Sequence, residues 1–111
     1  MTPTPLTYEI LLALADGDRH GYGIIKEIEA RGGAAPSTGA LYLALQRMER
    51  DGLIEESSEP PEESDDTRRR YYRVSKRGRE VAEEESRRLV ELVAAARAKK
   101  LLTGAAGSGR A

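Results

Sequence analysis

The sequence predicts a mainly α fold with a small β-hairpin (α+β), and three features carry that expectation. Apolar residues recur at helical spacing in four separate stretches of the 111-residue chain. Two short stretches near the middle read as paired strands, the second alternating with a period of two. Capping residues, with glycines behind the second and third helical stretches, sit where helices would start and stop.

The first helix is expected from Pro5 to Ala15 (PLTYEILLALA), with Leu6, Ile10, Leu11 and Leu14 on one face. Thr4 can cap it, Pro5 suits its first turn, and Asp16-Gly17-Asp18 ends it. Leu12, Ala13 and Ala15 lie off the main stripe, so a second packing partner is expected for this helix. A second helix follows from about His20 to Arg31, burying Ile24, Ile25 and Ile28 and stopping at Gly32-Gly33. Its opening, His20-Gly21-Tyr22-Gly23, is weak helix-forming material, which points to a close approach of chains. Ser37 is a good cap for a third helix, Thr38 to Asp51, whose buried stripe is Leu41, Ala44, Leu45 and Met48. Gly52 stops it in the left-handed conformation and Leu53 follows as an apolar anchor.

Residues 53–56 and 70–74 then read as strands, with Tyr72 and Val74 facing inward and Tyr71 and Arg73 outward. The connection holds Pro60-Pro61 and an acidic run, and a mobile loop is expected. Ser75 caps a long fourth helix reaching about Leu102, a span of ~40 Å at the α-helical rise. Glu83–Arg87 and Glu84–Arg88 fall at i,i+4 spacing along it. The tail from Thr103 to Ala111 reads as disordered. This order of elements is a winged helix-turn-helix with a long C-terminal dimerisation helix. It divides into a DNA-binding winged domain (residues 1–75), the dimerisation helix (76–102) and the tail (103–111).

Composition narrows the function. The chain is 39% hydrophobic and 33% charged, which suits a thin core that gains by burying surface against a second copy. It has no cysteine, so disulfides and thiolate metal sites are excluded. His20 is the single histidine, leaving no material for a catalytic dyad or a multi-histidine metal site. Gly21-Tyr22-Gly23 lacks both the preceding strand and the spacing of a phosphate-binding loop. Carboxylates around Asp65-Asp66 sit in the loop, where no fixed acid–base geometry persists. Neither an enzyme nor a cofactor is expected. With no stretch approaching the ~20 apolar residues of a membrane span, and no basic and apolar leader at Met1 to Pro5, a cytoplasmic location is expected.

The net charge of −1 hides a sharp split. Glu59 to Asp66 holds five acids and no base, whereas Arg68 to Arg79 holds seven bases and no acid. A phosphate backbone would feel that basic strip within a screening length of ~8–10 Å. The outward face of the third helix carries Gly39, Tyr42, Leu43, Gln46 and Arg50. Thr38, Gly39, Tyr42 and Gln46 occupy its first turns, which reach base edges when a helix enters the major groove. Gly39 allows close backbone approach, the Tyr42 hydroxyl suits a phosphate, Gln46 can pair with adenine, and Ser37 at the helix N-terminus favours an anion. Leu43 on this side is suited to a thymine methyl. Arg68, Arg69 and Arg70 sit where a wing meets backbone or minor groove, with the acidic run as their intramolecular competitor.

On the fourth helix, Ala82, Leu89, Leu92, Val93 and Ala96 form an apolar seam, interrupted by Glu85 and Lys99. A homodimer built on it would hold paired recognition helices ~34–36 Å apart over a pseudo-palindrome. Two other readings compete: a winged helix that binds only another protein, and a small-molecule sensor without DNA affinity.

Taken together, His20-Gly21-Tyr22, residues 37–42 (STGALY), residues 45–54 (LQRMERDGLI) and residues 69–78 (RRYYRVSKRG) resemble the PadR family of transcriptional regulators. The likeness runs over roughly residues 6–100. It implies a homodimeric winged-helix repressor with its dimer arm in the C-terminal helix; a small-molecule effector of unstated identity is a further candidate partner, although the short C-terminal helix leaves little room for a separate effector domain. It implies that Tyr22, Thr38, Gly39, Tyr42 and the wing arginines lie at the DNA surface. The chain departs from the family in two ways. Leu43 stands where the family often has proline, and the absence of Trp and Phe removes the aromatic residues with which some relatives stack flat drugs. The single C-terminal helix resembles the short branch of the family.

Overall fold

The computed structural model describes residues 1–57 and 70–103. The acidic run Glu59 to Asp66, the wing residues Arg68 and Arg69, and the tail after Thr103 lie outside the described residues. The elements are α1 (Pro5–Leu14), β1 (Arg19–His20), α2 (Gly21–Ala30), α3 (Thr38–Arg50), β2 (Ile54–Glu56), β3 (Tyr71–Val74) and α4 (Lys76–Ala98).

Each helix starts at a side chain that accepts a hydrogen bond from the first turn. Thr4 takes the amide of Thr7, Ser37 that of Ala40, and Ser75 that of Gly78. Such caps satisfy amides that have no partner within the helix, and each contributes about 1 kcal/mol. The ends are equally local. Gly32 (φ +84°) follows α2 and Gly52 (φ +78°) follows α3 in the left-handed region, where a side chain would be strained. Lys100, at φ +65°, plays the same part after α4, so that helix ends at Ala98, short of the expected Leu102.

The core sits where α1, α2 and α3 meet the sheet. Ile10, Leu11, Leu14, Ile24, Ile28, Leu41, Leu45 and Leu53 are almost wholly buried, each contributing roughly 1.5–3 kcal/mol of transfer free energy. The expected stripe of α3 is correct at Leu41, Leu45 and Met48, with Ala44 half-buried at its margin, and on α2 Ile24 and Ile28 are buried while Ile25 is half-buried.

Two expectations about the sheet need correction. There are three strands, in the order β1-β3-β2, with β3 antiparallel to both neighbours. The added strand, β1, forms because Arg19 is tied down: its Nε donates to the Ala13 carbonyl at 2.7 Å, and its guanidinium meets Asp16 and Glu27 at 3.3 Å. His20, expected to begin the second helix, pairs instead with Tyr71 and caps α2 by accepting from Gly23 N through Nδ1. For the same reason Tyr71 does not face outward. It is 8% exposed, with the His20 ring edge-on at 5.2 Å. Tyr72 is buried, Val74 half-buried and Arg73 exposed, as the alternation requires.

The first turns of α4 are part of this core. A side chain at Gly78 would collide with the Leu53 carbonyl, so the helix approaches β2 closely there. Val81 and Ala82 pack on the core, Ser86 and Tyr8 share a 2.7 Å hydrogen bond, and Arg79 donates to the Ala15 carbonyl at 2.9 Å. Of the two expected ion pairs on α4, Glu84–Arg88 gives way to a pairing one residue along. Arg88 grips Glu85 through two hydrogen bonds of 2.9 and 2.7 Å.

Candidate nucleic-acid interface

α2 and α3, joined by the turn at 31–37, form a helix-turn-helix, and β2 with β3 supplies the base of a wing beside it. The first turns of both helices carry no acidic residue, so no local carboxylate opposes the positive potential of either helix N-terminus.

The outward face of α3 is open. Ser37, Thr38, Gly39, Tyr42, Leu43 and Gln46 are all exposed, with Tyr42 at 46% and Leu43 at 47%. Two glycines frame this face for opposite reasons. A methyl group at Gly39 would meet nothing within 4 Å, so the chain's own packing does not call for glycine there. A methyl group at Gly21 would strike the hydroxyl and ring of Tyr42. The weak opening of α2 is therefore the seat on which Tyr42 stands.

Beside Tyr42, Tyr22 is 59% exposed at the start of α2. Its ring stacks on His20 (6.3 Å, 16° between planes), and Lys26 Nζ lies 5.6 Å from its centroid. Lys26 was missed by the sequence reading, although its position one turn after Tyr22 is a usable signal.

A groove of about 340 Å³ separates α3 from the wing, lined by Tyr42, Leu43, Gln46, Glu49, Arg70 and Tyr72. It brings the recognition-helix residues and Arg70 to one place, whereas Arg68 and Arg69 fall outside the described residues. Glu49 was also missed; its position at i+7 from Tyr42 puts it on the same face. The wing base is laced by cross-strand ion pairs, Arg73 with Glu55 at 3.1 Å and Arg70 with Glu56 at 3.8 Å. Burial pushes the Tyr72 phenol above its ordinary value, while the positive charge of Arg70 works in the opposite direction.

The expected dimer seam divides in two. Ala82 packs on its own core, and Glu85 is 6% exposed beneath Arg88, whose guanidinium holds that carboxyl below the usual glutamate range. Farther along, the apolar stripe has no cover from its own chain. Leu92 is 50% exposed and Val93 37%, while Leu89 and Ala96 are half-buried. Val90 (68%) and Leu101 (79%), not assigned to the seam from sequence, extend the patch.

Among the described residues no group of His, Cys, Asp or Glu is arranged to hold a metal ion, and no helix is long and apolar enough to cross a membrane. Three helices with a small antiparallel sheet, a helix-turn-helix and a wing define a winged helix-turn-helix protein. The family model described as the transcriptional regulator PadR-like family matches residues 10–84, and the chain belongs to that family.

Solved structures agree. A PadR family transcription regulator from Clostridium difficile R20291 is 28% identical, with a TM-score of 0.74 over 85% of this chain and 96% of its own. A PadR-like transcriptional regulator from Bacillus cereus is 25% identical, with a TM-score of 0.74 over 90% of this chain and 93% of its own. The fold is also that of Bacillus subtilis PadR, solved in complex with operator DNA. That likeness has a TM-score of 0.60 at 18% identity, covering 73% of this chain and 46% of the other, and concerns the fold alone. No curated protein matched the sequence.

Proposed function

We propose that this transcriptional regulator is a cytoplasmic repressor that binds a pseudo-palindromic DNA operator as a homodimer. The observation that carries this reading is the open face of α3, where Tyr42, Leu43 and Gln46 are exposed around a Gly39 that the fold itself does not need. Glycine costs about 1 kcal/mol relative to alanine in a helix interior, and less in the first turn, where Gly39 sits. That cost has a use when a second molecule must approach the backbone. Thr38, Gly39, Tyr42 and Gln46 then read base edges, and Ser37 with the α3 N-terminus takes a phosphate. Tyr22 contacts the backbone from α2 and Arg70 reaches it from the wing base, with Arg68 and Arg69, which lie outside the described residues, assigned the same partner from sequence. A protein of the same fold, Bacillus subtilis PadR, is solved in complex with operator DNA, which supports DNA as the partner and not any particular contact.

The homodimer reading rests on the uncovered stripe of α4. Leu89, Leu92, Val93 and Ala96 form its centre, with Ala82 at its packed end. An open cleft of about 300 Å³ between α1 and α4, lined in part by Leu11, Leu12 and Ala82, continues the stripe and gives the second copy somewhere to seat. Two-fold symmetry of the dimer then accounts for a pseudo-palindromic site.

The test is a gel-shift titration of the full chain against its own promoter region, repeated across salt concentrations. Sequence-selective retardation whose affinity falls steeply with salt is the expected outcome. Equal affinity for unrelated duplexes, or none at any salt, refutes the reading.

A further inference from the structure

Among the described residues, no carboxylate pairs with Lys26, which stands exposed on α2 one turn after Tyr22. The acid next to it in sequence, Glu27, is already held by Arg19 at 3.3 Å and by Arg31 at 3.4 Å. The Lys26 ammonium lies instead over the Tyr22 ring, 5.6 Å from its centroid. An aromatic face attracts a cation without neutralising it. Tyr22 is itself exposed, yet its ring is fixed from within. It stacks on His20, whose ring stands edge-on to the buried Tyr71 at 5.2 Å and accepts the Gly23 amide through Nδ1. The pairing of β1 with β3 sets His20 opposite Tyr71. A column of three rings thus leads from the core out to one ammonium group.

We propose that Lys26 is a DNA-backbone contact, its ammonium presented to a phosphate from the ring of Tyr22 on the α2 flank of the recognition face. The inference rests on the DNA-binding reading and adds to it a charge on the first helix of the helix-turn-helix. In this motif the first helix crosses the backbone while the second enters the major groove. α2 opens directly against Tyr42, since a methyl group at Gly21 would strike that ring, so the edge carrying Tyr22 and Lys26 borders the outward face of α3. A phosphate contact there fixes register and orientation without reading sequence. The ring matters because a lysine side chain left alone samples many rotamers and loses that freedom on binding. Resting on a fixed ring, Lys26 has less freedom to lose, and pre-ordering of this kind appears as affinity. A carboxylate partner would order the side chain equally well, but it would compete with the phosphate for the charge.

The test uses the full chain, a duplex selected from a random pool by the unaltered protein, and a random duplex of equal length. Lys26→Ala is expected to weaken binding to both duplexes by the same factor, about three- to fivefold, and to reduce the salt slope by about one. Lys26→Arg keeps the charge and should bind within about twofold of the unaltered chain. Alanine and arginine both suit a helix, so neither variant should lower the melting temperature. The ring is tested by two backgrounds, Tyr22→Phe, which retains the aromatic face, and Tyr22→Leu, which removes it. Lys26→Ala should cost its full factor on the first and about twofold or less on the second. Equal losses on the two backgrounds overturn the part given to Tyr22. Unchanged affinity and slope for Lys26→Ala, while Tyr42→Ala binds the selected duplex poorly, overturn the contact and leave the α3 reading standing. A loss confined to the selected duplex also overturns it, because a phosphate contact is blind to sequence. A selection that recovers no duplex at all removes the DNA-binding reading, and this inference with it.

Discussion

α3 and α4 are both amphipathic, yet they dispose of their apolar sides in opposite ways. α3 buries Leu41, Leu45 and Met48 completely within its own chain and turns a mixed face outward. α4 does so only for its first turns. Beyond Ser86 it runs clear of the domain with Val90, Leu92 and Val93 exposed, while the residue it buries most deeply in mid-helix is a glutamate. The difference shows what an exposed face means in each case. On α3 a single large aliphatic residue, Leu43, is exposed among Thr38, Tyr42 and Gln46, whose hydrogen-bonding tips suit a hydrated partner that reads edges. On α4 the uncovered residues are aliphatic and contiguous, suited to a dry partner such as a second copy.

The comparison breaks most completely at Gly78. Any side chain there meets the Leu53 carbonyl, a backbone group that cannot swing away. Gly78→Ala should detach the start of α4 from the sheet at a cost of about 3 kcal/mol, lowering the melting temperature by roughly 10 °C or more in a thermal unfolding scan. An unchanged melting temperature would mean that α4 is not seated as described.

Leu89→Asp attacks the other half of the helix. It should leave the winged domain folded and convert the proposed dimer to monomer in sedimentation velocity at micromolar concentration, because a buried unpaired carboxylate costs several kcal/mol across a symmetric interface. Retention of the dimer would remove α4 from the interface. Tyr42→Ala sharpens the contrast from the α3 side. It should lower operator affinity about tenfold, within the range of one specific contact, with sedimentation and melting unchanged. Parallel losses in all three measurements would make Tyr42 a packing residue.

The smallest expected effect concerns Glu85. Its carboxyl titrates below the ordinary glutamate value of 4.5, first because Arg88 hydrogen-bonds the ionised form. The group binds its proton less readily folded than unfolded, so its contribution to stability is present above the unfolded value. It disappears as pH falls through the lower, folded value. The melting temperatures of the unaltered chain and of Glu85→Gln should therefore differ slightly at pH 7 and converge at pH 3. A gap that persists in acid would assign the effect to shape and not to charge.

Much of this architecture was legible in advance because its signals are short-ranged. Thr4, Ser37 and Ser75 cap helices by reaching amides three residues ahead, and Gly32 and Gly52 end them through their own backbone freedom. The buried stripe of α3 follows from its spacing alone, and so does the outward position of Thr38, Gly39, Tyr42 and Gln46. The sequence placed the outward side of α3 where the structure has it, but did not single out Lys26 and Glu49 near that side or the exposed Val90 on α4. Lys26 and Glu49 lie at helical spacings from Tyr22 and Tyr42 that a closer reading could have used, whereas the exposure of Val90 depends on α4 running clear of the domain.

What the amino-acid order determined by itself is therefore the set of elements, their limits and the sides they would bury. Those depend on interactions within about four residues, and these are present before the chain closes. The tertiary structure decided which surface each side faces. β1 exists because Arg19 finds the end of α1, Tyr71 is covered because His20 arrives from fifty residues away, and Gly21 and Gly78 are needed because Tyr42 and Leu53 come to rest against them. Such requirements arise from proximity created by folding, and no local pattern encodes them.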